Sequence, residues 1–411
     1  MTGRLTKTIK KSFLFAIVLA FHMESYGSIL QNYSDQKFLL IDKTKLRLFE
    51  KKFHEQSVIE VNIVKSLIKS GEGILKTDKS YSVTFLKENL PPDRNIHSYQ
   101  SQSIYWWPDS NKRDGIPYIR KDGKVNPEAK KLKDQDQLNN LILDLKKLSL
   151  CYYFTKDERF AFKVKNLLDT WFVDPSTKMN PNLNFGQFIP GRNQGSPTGI
   201  IETRELAAIP DIISLTSGSN HMSPDFIDII RIWFSSYLRW LQTSPLGKKE
   251  KAMRNNHGTY YDLQEVTFCI FVGDTAKAKQ ILESRTPKRI DYQIKADGSQ
   301  PFELVRENSL NYTMSNLAGL CKLAQVSENI GANDLWHYEQ PNGSGLENSF
   351  EWFSQYLLKS KKWDNKQLNR INNYYGLVKL NSAVASKYQN IEIEKIISLY
   401  PNYTRIAWEL F

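Results

Sequence analysis

The stretch LNNLILDLKKLSLCY, residues 138–152, decides the fold class. Leu138, Leu141, Ile142, Leu145, Leu148, Cys151 and Tyr152 recur every three or four positions with no Gly or Pro between them, so one apolar stripe runs down a helix. A second stretch, SPDFIDIIRIWFSSYLRWLQTSP at 223–245, reads the same way. Ser223 and Pro224 have the character of an N-cap and first helical residue, and Phe226, Ile229, Ile230, Trp233, Tyr237, Trp240 and Leu241 line one face until Pro245 stops the helix. Further helical patterns run over 157–172, 258–272, 275–283, 316–324, 346–358 and 377–388. Strand-like alternation is scarce. The related segments DERFAFKVKNLL from Asp157 and DTAKAKQIL from Asp274 hint at repeated helical hairpins. Without a βαβ rhythm, the pattern predicts an all-α chain of paired helices, either a solenoid or a ring.

Composition agrees with a folded chain. Of 411 residues, 40% are hydrophobic and 12% aromatic, which excludes disordered, collagen-like and multispanning membrane classes. The net charge of +12 favours an anionic partner. Arg4, Lys7, Lys10 and Lys11 precede an apolar run from Ser12 to Phe21, and Ser25 and Gly27 supply small residues before a cleavage point. This is the pattern of a secretory leader over 1–27, too short in its apolar run for a membrane anchor. Its removal would lower the charge from +12 to +9 by taking those four cations and Glu24. A periplasmic or secreted protein is expected, with residues 28–411 as a single domain. Cys151, Cys269 and Cys321 are widely spaced within apolar helical stretches, so they read as buried thiols and not as metal ligands; one disulfide stays open.

Two long loops break the helical pattern, at 98–128 and 180–205. Long ordered loops more often bind than pack. In the first, Tyr105, Trp106 and Trp107 stand beside Asp109, Lys112 and Arg113, the mixture of aromatic faces and charges that a sugar platform uses.

The chemistry-bearing residues gather in two peptides. RNNHGTYYD holds Arg254, Asn255, Asn256, His257, Tyr260 and Tyr261 at the start of a helix, after the basic run Lys248, Lys249 and Lys251. Helix N-termini favour anions. DGSQPFELVRENSLNY holds Asp297, Glu303, Arg306 and Tyr312, just before an apolar helix. Amide, imidazole, guanidinium and phenol together suit β-elimination on a 4-linked uronic acid. There the sugar carboxylate must be neutralised before the C5 proton leaves, a base takes that proton, and an acid protonates the departing O4. Histidine and tyrosine can serve, and no metal or cofactor is needed.

YWWPD with GIPYIRKDGKVNPE, NFGQFIPG followed by GIIETRE, NNHGTYYD and DGSQPFELVRENSLNY occur in this order between Tyr105 and Tyr312. The set resembles the alginate lyase superfamily of helical-toroid enzymes, and most of all polysaccharide lyase family 38. The resemblance implies an (α/α) toroid or incomplete barrel with long substrate-binding loops, acting on alginate, with glucuronan or a glycosaminoglycan as alternatives. It implies Asn256 as the carboxylate-neutralising amide, His257 as the catalytic or neutralising histidine, Arg306 as the carboxylate arginine and Tyr312 as the catalytic tyrosine. Tyr312 would be the acid, and also the base where both protons move on one face; His257 would be the base for the opposite geometry. Tyr105, Trp106, Gln187, Arg204, Arg254, Asn255, Tyr260 and Tyr261 would contact substrate. In the similar family 5 lyases a tyrosine follows the NNH motif, so Tyr260 and Tyr261 compete with Tyr312.

Two other classes fit parts of the sequence. A glycoside hydrolase would use two carboxylates, with Glu202, Asp262, Asp297 and Glu303 available. A non-catalytic polysaccharide-binding protein would use the same Trp and Lys content. Nucleic-acid binding suits the charge, but no such motif is present and the leader argues against it. The partner expected is an anionic polysaccharide.

Overall fold

Two helices that apolar spacing does not bring out, α1 (Lys43–His54) and α2 (Val58–Leu75), precede α3 (Asp134–Thr155), the helix predicted from Leu138. The first is short and buries only Leu46, and the second places Glu60 and Gly71 on its buried face, so neither shows a clean stripe. All seven stripe residues of α3 are buried. It ends at Lys156, whose left-handed backbone turns the chain into α4 (Glu158–Leu168), capped by the Asp157 carboxylate.

The computed structural model describes residues 38–341, 343–368, 374–389 and 392–400. The leader expected over 1–27 lies outside the described residues. The described residues from Leu39 onward form one unit by their internal contacts. The helices after α4 are α5 (Ile209–Thr216), α6 (Pro224–Thr243), α7 (Pro245–Lys251), α8 (Asn256–Phe271), α9 (Thr275–Gln293), α10 (Pro301–Leu304), α11 (Ser309–Asn329), α12 (Leu346–Leu357), α13 (Tyr375–Val384) and α14 (Ile393–Ser398). Consecutive helices pack in pairs, α2 on α3, α3 on α4 and α8 on α9, and α8 also meets α6 and α11. With neighbours on so many sides, α8 buries polar Thr259, Asp262, Gln264, Glu265 and Thr267 along with its apolar residues.

The Ser223 hydroxyl caps α6 by accepting from the Phe226 N–H, as predicted. The buried face is rotated from the expected one: Phe226, Ile230, Trp233, Phe234, Tyr237, Leu238 and Leu241 are buried, whereas Ile229 is 45% exposed. Other boundaries move as well. The pattern placed at 275–283 continues to Gln293 in α9 through Pro287, and that placed at 316–324 begins at Ser309, so Tyr312 stands in the first turn of α11 and not ahead of it. The helix placed at 377–388 runs from Tyr375 to Val384. The last third of the second long loop is the start of a 3-10 helix, Pro197–Ala208.

The two long loops are tied to each other. Short strands β1 (Gln100–Gln102), β2 (Trp106–Trp107), β3 (Ile119–Arg120) and β4 (Phe185–Phe188) pair as β1 with β4 in parallel and β2 with β3 antiparallel. The Tyr118 N–H donates to the Pro190 carbonyl and Arg192 Nε to the Tyr118 carbonyl, at 3.1 and 2.6 Å. All three cysteines are buried and free, as expected of core thiols. Among the described residues no helix is long and apolar enough to cross a membrane, and no group of His, Cys, Asp and Glu could hold a metal ion.

Candidate active site

The NNH peptide is shaped by the start of α8. The Asn255 side chain caps that helix by accepting from the His257 N–H at 3.3 Å. Behind it the buried Arg289 guanidinium donates to the carbonyls of Met253 and Lys251 at 2.9 and 2.8 Å and pairs with the Asp262 carboxylate. A Cβ on Gly258 would overlap both the Met253 carbonyl and Arg289, so only glycine fits after His257. The motif glycine is a packing requirement.

A buried amide and hydroxyl cluster then fastens α8 to α11. Thr259 Oγ1 donates to Asn316 Oδ1 at 2.7 Å, and Asn316 Nδ2 donates to the side-chain oxygens of Gln293 and Gln300 at 3.0 and 2.8 Å. Gln300 immediately precedes α10, which carries Glu303. Both carboxylate oxygens of Glu303 accept from Asn256, one from its backbone N–H at 2.6 Å and one from Nδ2 at 2.8 Å. Burial pushes the Glu303 carboxyl up, against the opposing pull of Asn256, Arg306 and His257. Glu303 therefore lies within electrostatic reach of both peptides and joins them.

Beyond Glu303, the Arg306 guanidinium carbon lies 3.8 Å from the centre of the Tyr312 ring. Its Nε and Nη2 donate to Asp122 at 3.1 and 2.8 Å. The Tyr312 hydroxyl donates to the Tyr105 hydroxyl at 2.9 Å. Burial raises the Tyr312 phenol above its ordinary range and donation to Tyr105 adds to this, while Arg306 opposes both. On the other side, His257 Nδ1 meets Glu250 Oε1 at 2.6 Å, with the Glu250 side chain wholly buried and His257 15% exposed. With Nδ1–H donating to this carboxylate, Nε2 is the nitrogen left to accept a proton.

Asn256, His257, Arg306 and Tyr312 thus fall within one connected cluster, extended by Glu250, Glu303, Asp122 and Tyr105. Sequence reasoning missed Glu250 and Asp122 and took Glu303 only as a hydrolase carboxylate. A signal for Glu250 is visible in retrospect, as the one acid inside the basic run LGKKEK, seven residues before His257. The competing tyrosines are committed elsewhere: Tyr260 donates to the Ser315 carbonyl at 2.9 Å and Tyr261 to the Leu241 carbonyl at 3.2 Å, both from buried positions. Burial raises both phenols.

The expected subsite residues are spread more widely. Trp106 lies beneath Arg192, its ring centre 4.9 Å from the guanidinium. Gln187 has a left-handed backbone and accepts from Thr198 Oγ1 at 2.9 Å. Arg204 lies 5.4 Å from the Tyr260 ring centre and 3.8 Å from Glu205. Arg254 is exposed, with its guanidinium 5.7 Å from the Tyr292 ring centre.

A family model described as alginate lyase matches residues 82–363. Among solved structures, an alginate lyase from Bacteroides ovatus is similar at 28% sequence identity and a TM-score of 0.83, over 91% of this chain and 97% of that one. Alginate lyase A1-III from Sphingomonas species A1 shares the fold at 17% identity and a TM-score of 0.52, over 82% of this chain and 90% of its own. A histidine-to-alanine variant of A1-III complexed with tetrasaccharide matches with the same identity and TM-score, over 84% and 89%. No curated protein matches the sequence. These structures share an (α/α) toroid, the architecture that the motif resemblance implies, and the helices described here do not close into a complete barrel. The family model spans well over half of the chain: it belongs to the alginate lyase family and is a polysaccharide lyase.

Proposed function

We propose that the protein is secreted and cleaves alginate by β-elimination at the cluster formed by Asn256, His257, Arg306 and Tyr312. Asn256 and Arg306 meet the carboxylate of the reacting uronate, and the N-terminus of α8 adds positive potential there. In one geometry His257 Nε2 takes the C5 proton, the C4–O4 bond breaks as the C4–C5 double bond forms, and the Tyr312 hydroxyl delivers its proton to O4. A raised phenol is suited to this, since it stands protonated before the reaction. In the other geometry Tyr312 serves as both base and acid on one face, which requires the phenol first to give up its proton to solvent against the burial that raises it. Tyr105, Trp106, Gln187, Arg204, Arg254 and Asn255 serve the sugars on either side.

The observation that carries this reading is Glu303, bonded twice to Asn256 and within electrostatic reach of His257 and Arg306, because it joins the two motif peptides at one place. A hydrolytic pair finds less support. Glu202 accepts from Tyr99 and Ser101 at 2.8 and 2.6 Å in a buried site, Asp262 is paired with Arg289, and Asp297 accepts from Ser299. The test is to incubate the purified protein with mannuronate-rich alginate, guluronate-rich alginate, glucuronan and chondroitin while following ultraviolet absorbance. Absorbance should rise with alginate; a rise only with glucuronan or chondroitin, or new reducing ends without absorbance, would overturn the proposal.

A further inference from the structure

We propose that Asp122 is a positioning residue for catalysis, holding the Tyr105 and Tyr312 hydroxyls in register by clamping Arg306 from a turn whose neighbouring Lys121 N–H holds the Tyr105 carbonyl. The inference rests on the lyase reading of Tyr312 given above. Asp122 lies in the turn that follows β3, closed by the Lys124 N–H donating to the Lys121 carbonyl at 3.1 Å. Its carboxylate takes Nε and Nη2 of Arg306, and Oδ2 also accepts the Glu307 N–H at 3.3 Å. A two-pronged grip on a guanidinium fixes its plane as well as its place. That plane lies over the Tyr312 ring.

The same turn reaches Tyr105. The Lys121 N–H, next to Asp122, donates to the Tyr105 carbonyl at 2.8 Å, and the Asn126 N–H donates to the Ile104 carbonyl at 2.7 Å. Gly123, with a left-handed φ of 73°, presses against the segment that leads into α11: a Cβ there would stand 3.0 Å from Glu307 Cβ and 3.2 Å from Asn308 Nδ2. The hairpin carrying Tyr105 is thus seated on the segment carrying Arg306, and the 2.9 Å contact between the phenols spans that seam. Asp122 also bears on Arg306 itself. A guanidinium bound to a protein carboxylate on its Nε and Nη2 side is held for orienting Tyr312, so its part in substrate binding is limited to the remaining edge.

A double-mutant cycle in the full-length enzyme tests the proposal, with kcat and KM measured on alginate for Asp122→Asn, Tyr105→Phe and the pair, and Tyr312→Phe run alongside. Asp122→Asn should lower kcat about tenfold with KM within about threefold, and should cost much less in the Tyr105→Phe background than in the wild type. Asp122→Glu, which keeps the charge, should recover part of the loss. Wild-type kcat in Asp122→Asn, a change confined to KM, or fully multiplicative losses in the pair would overturn the inference. Should Asp122→Asn fail to fold, the same cycle with Asp122→Glu decides by the same criterion. If Tyr312→Phe is inactive while Asp122→Asn behaves as wild type, the positioning role fails and the lyase reading stands; if Tyr312→Phe keeps its turnover, the reading itself fails.

Discussion

Arg306 stacks on Tyr312 with its guanidinium carbon 3.8 Å from the ring centre, and the contact joins the arginine proposed to meet the sugar carboxylate to the tyrosine proposed to move the proton. Cation and aromatic face attract each other. The same closeness favours the ionised phenol, while burial and the Tyr105 hydrogen bond favour the neutral one. The balance leaves a phenol that holds its proton at neutral pH.

Glu250 should matter for rate more than for binding. It is wholly buried on His257 Nδ1, so Glu250→Gln would no longer favour the tautomer that leaves Nε2 as the acceptor. We expect kcat to fall on the order of 10- to 100-fold with KM little changed, as seen by steady-state kinetics on alginate. A wild-type kcat would remove Glu250 from the mechanism.

Tyr260 and Tyr261 should be dispensable for turnover. Each phenol donates to a backbone carbonyl inside the protein, and Tyr260 also accepts from the Ser315 hydroxyl at 3.4 Å, so phenylalanine costs about 1 kcal/mol of stability at Tyr261 and about 1–2 kcal/mol at Tyr260 and leaves the rate within a few-fold of wild type. Thermal unfolding and kcat measured on the same samples check both halves. A thousandfold loss of kcat in a folded Tyr260→Phe would transfer the acid role to that residue.

Gly258→Ala should be damaging although it adds one methyl group. The new Cβ meets the Met253 carbonyl and the Arg289 guanidinium, neither free to move, because Arg289 is also bound to Asp262 and Lys251. Overpacking of this kind costs about 1–3 kcal/mol. Displacement of the NNH peptide should lower kcat as well, and a variant with unchanged melting temperature and rate would show that the turn is not as tight as described.

Acid should weaken the Asp122 clasp in a defined range. Partial burial alone would raise this carboxyl, but the Arg306 hydrogen bonds and charge hold it down to about 2, below the ordinary 3.8. Because the folded value is depressed, the stabilisation is fully present above the unfolded value and is lost as pH falls from about 4 through 2. With Asp122 partly open to solvent, its worth is on the order of 1 kcal/mol. Denaturant unfolding of wild type and Asp122→Asn should differ most at pH 6, and the difference should narrow steadily below about pH 4 towards pH 2; a difference that does not shrink would contradict the assignment.

How much of this was legible in the sequence depends on whether the signal is local. The stripe from Leu138 to Tyr152 and the Ser223 cap report on their own helices, and both hold. Ile229 fits the same stripe on paper yet faces solvent, because the packing of α6 against α8 turns the buried face towards Phe234 and Leu238. Asn256, His257, Arg306 and Tyr312 were readable as a set since they lie in two short peptides. Asp122 was not, for a KDGK turn reads as exposed and its partner Arg306 is 184 residues away. Glu250 hides for a related reason, since an acid among lysines reads as a solvated face until α7 packs against the 3-10 helix and buries it.

The most direct test of the account is the product made from alginate by wild-type enzyme and by Tyr312→Phe, followed by ultraviolet absorbance and by proton NMR of the new chain ends. The wild type should yield unsaturated uronate ends, and the folded variant should lose about a hundredfold or more of the turnover. Saturated ends from the wild type, or near-normal elimination by Tyr312→Phe, would contradict it.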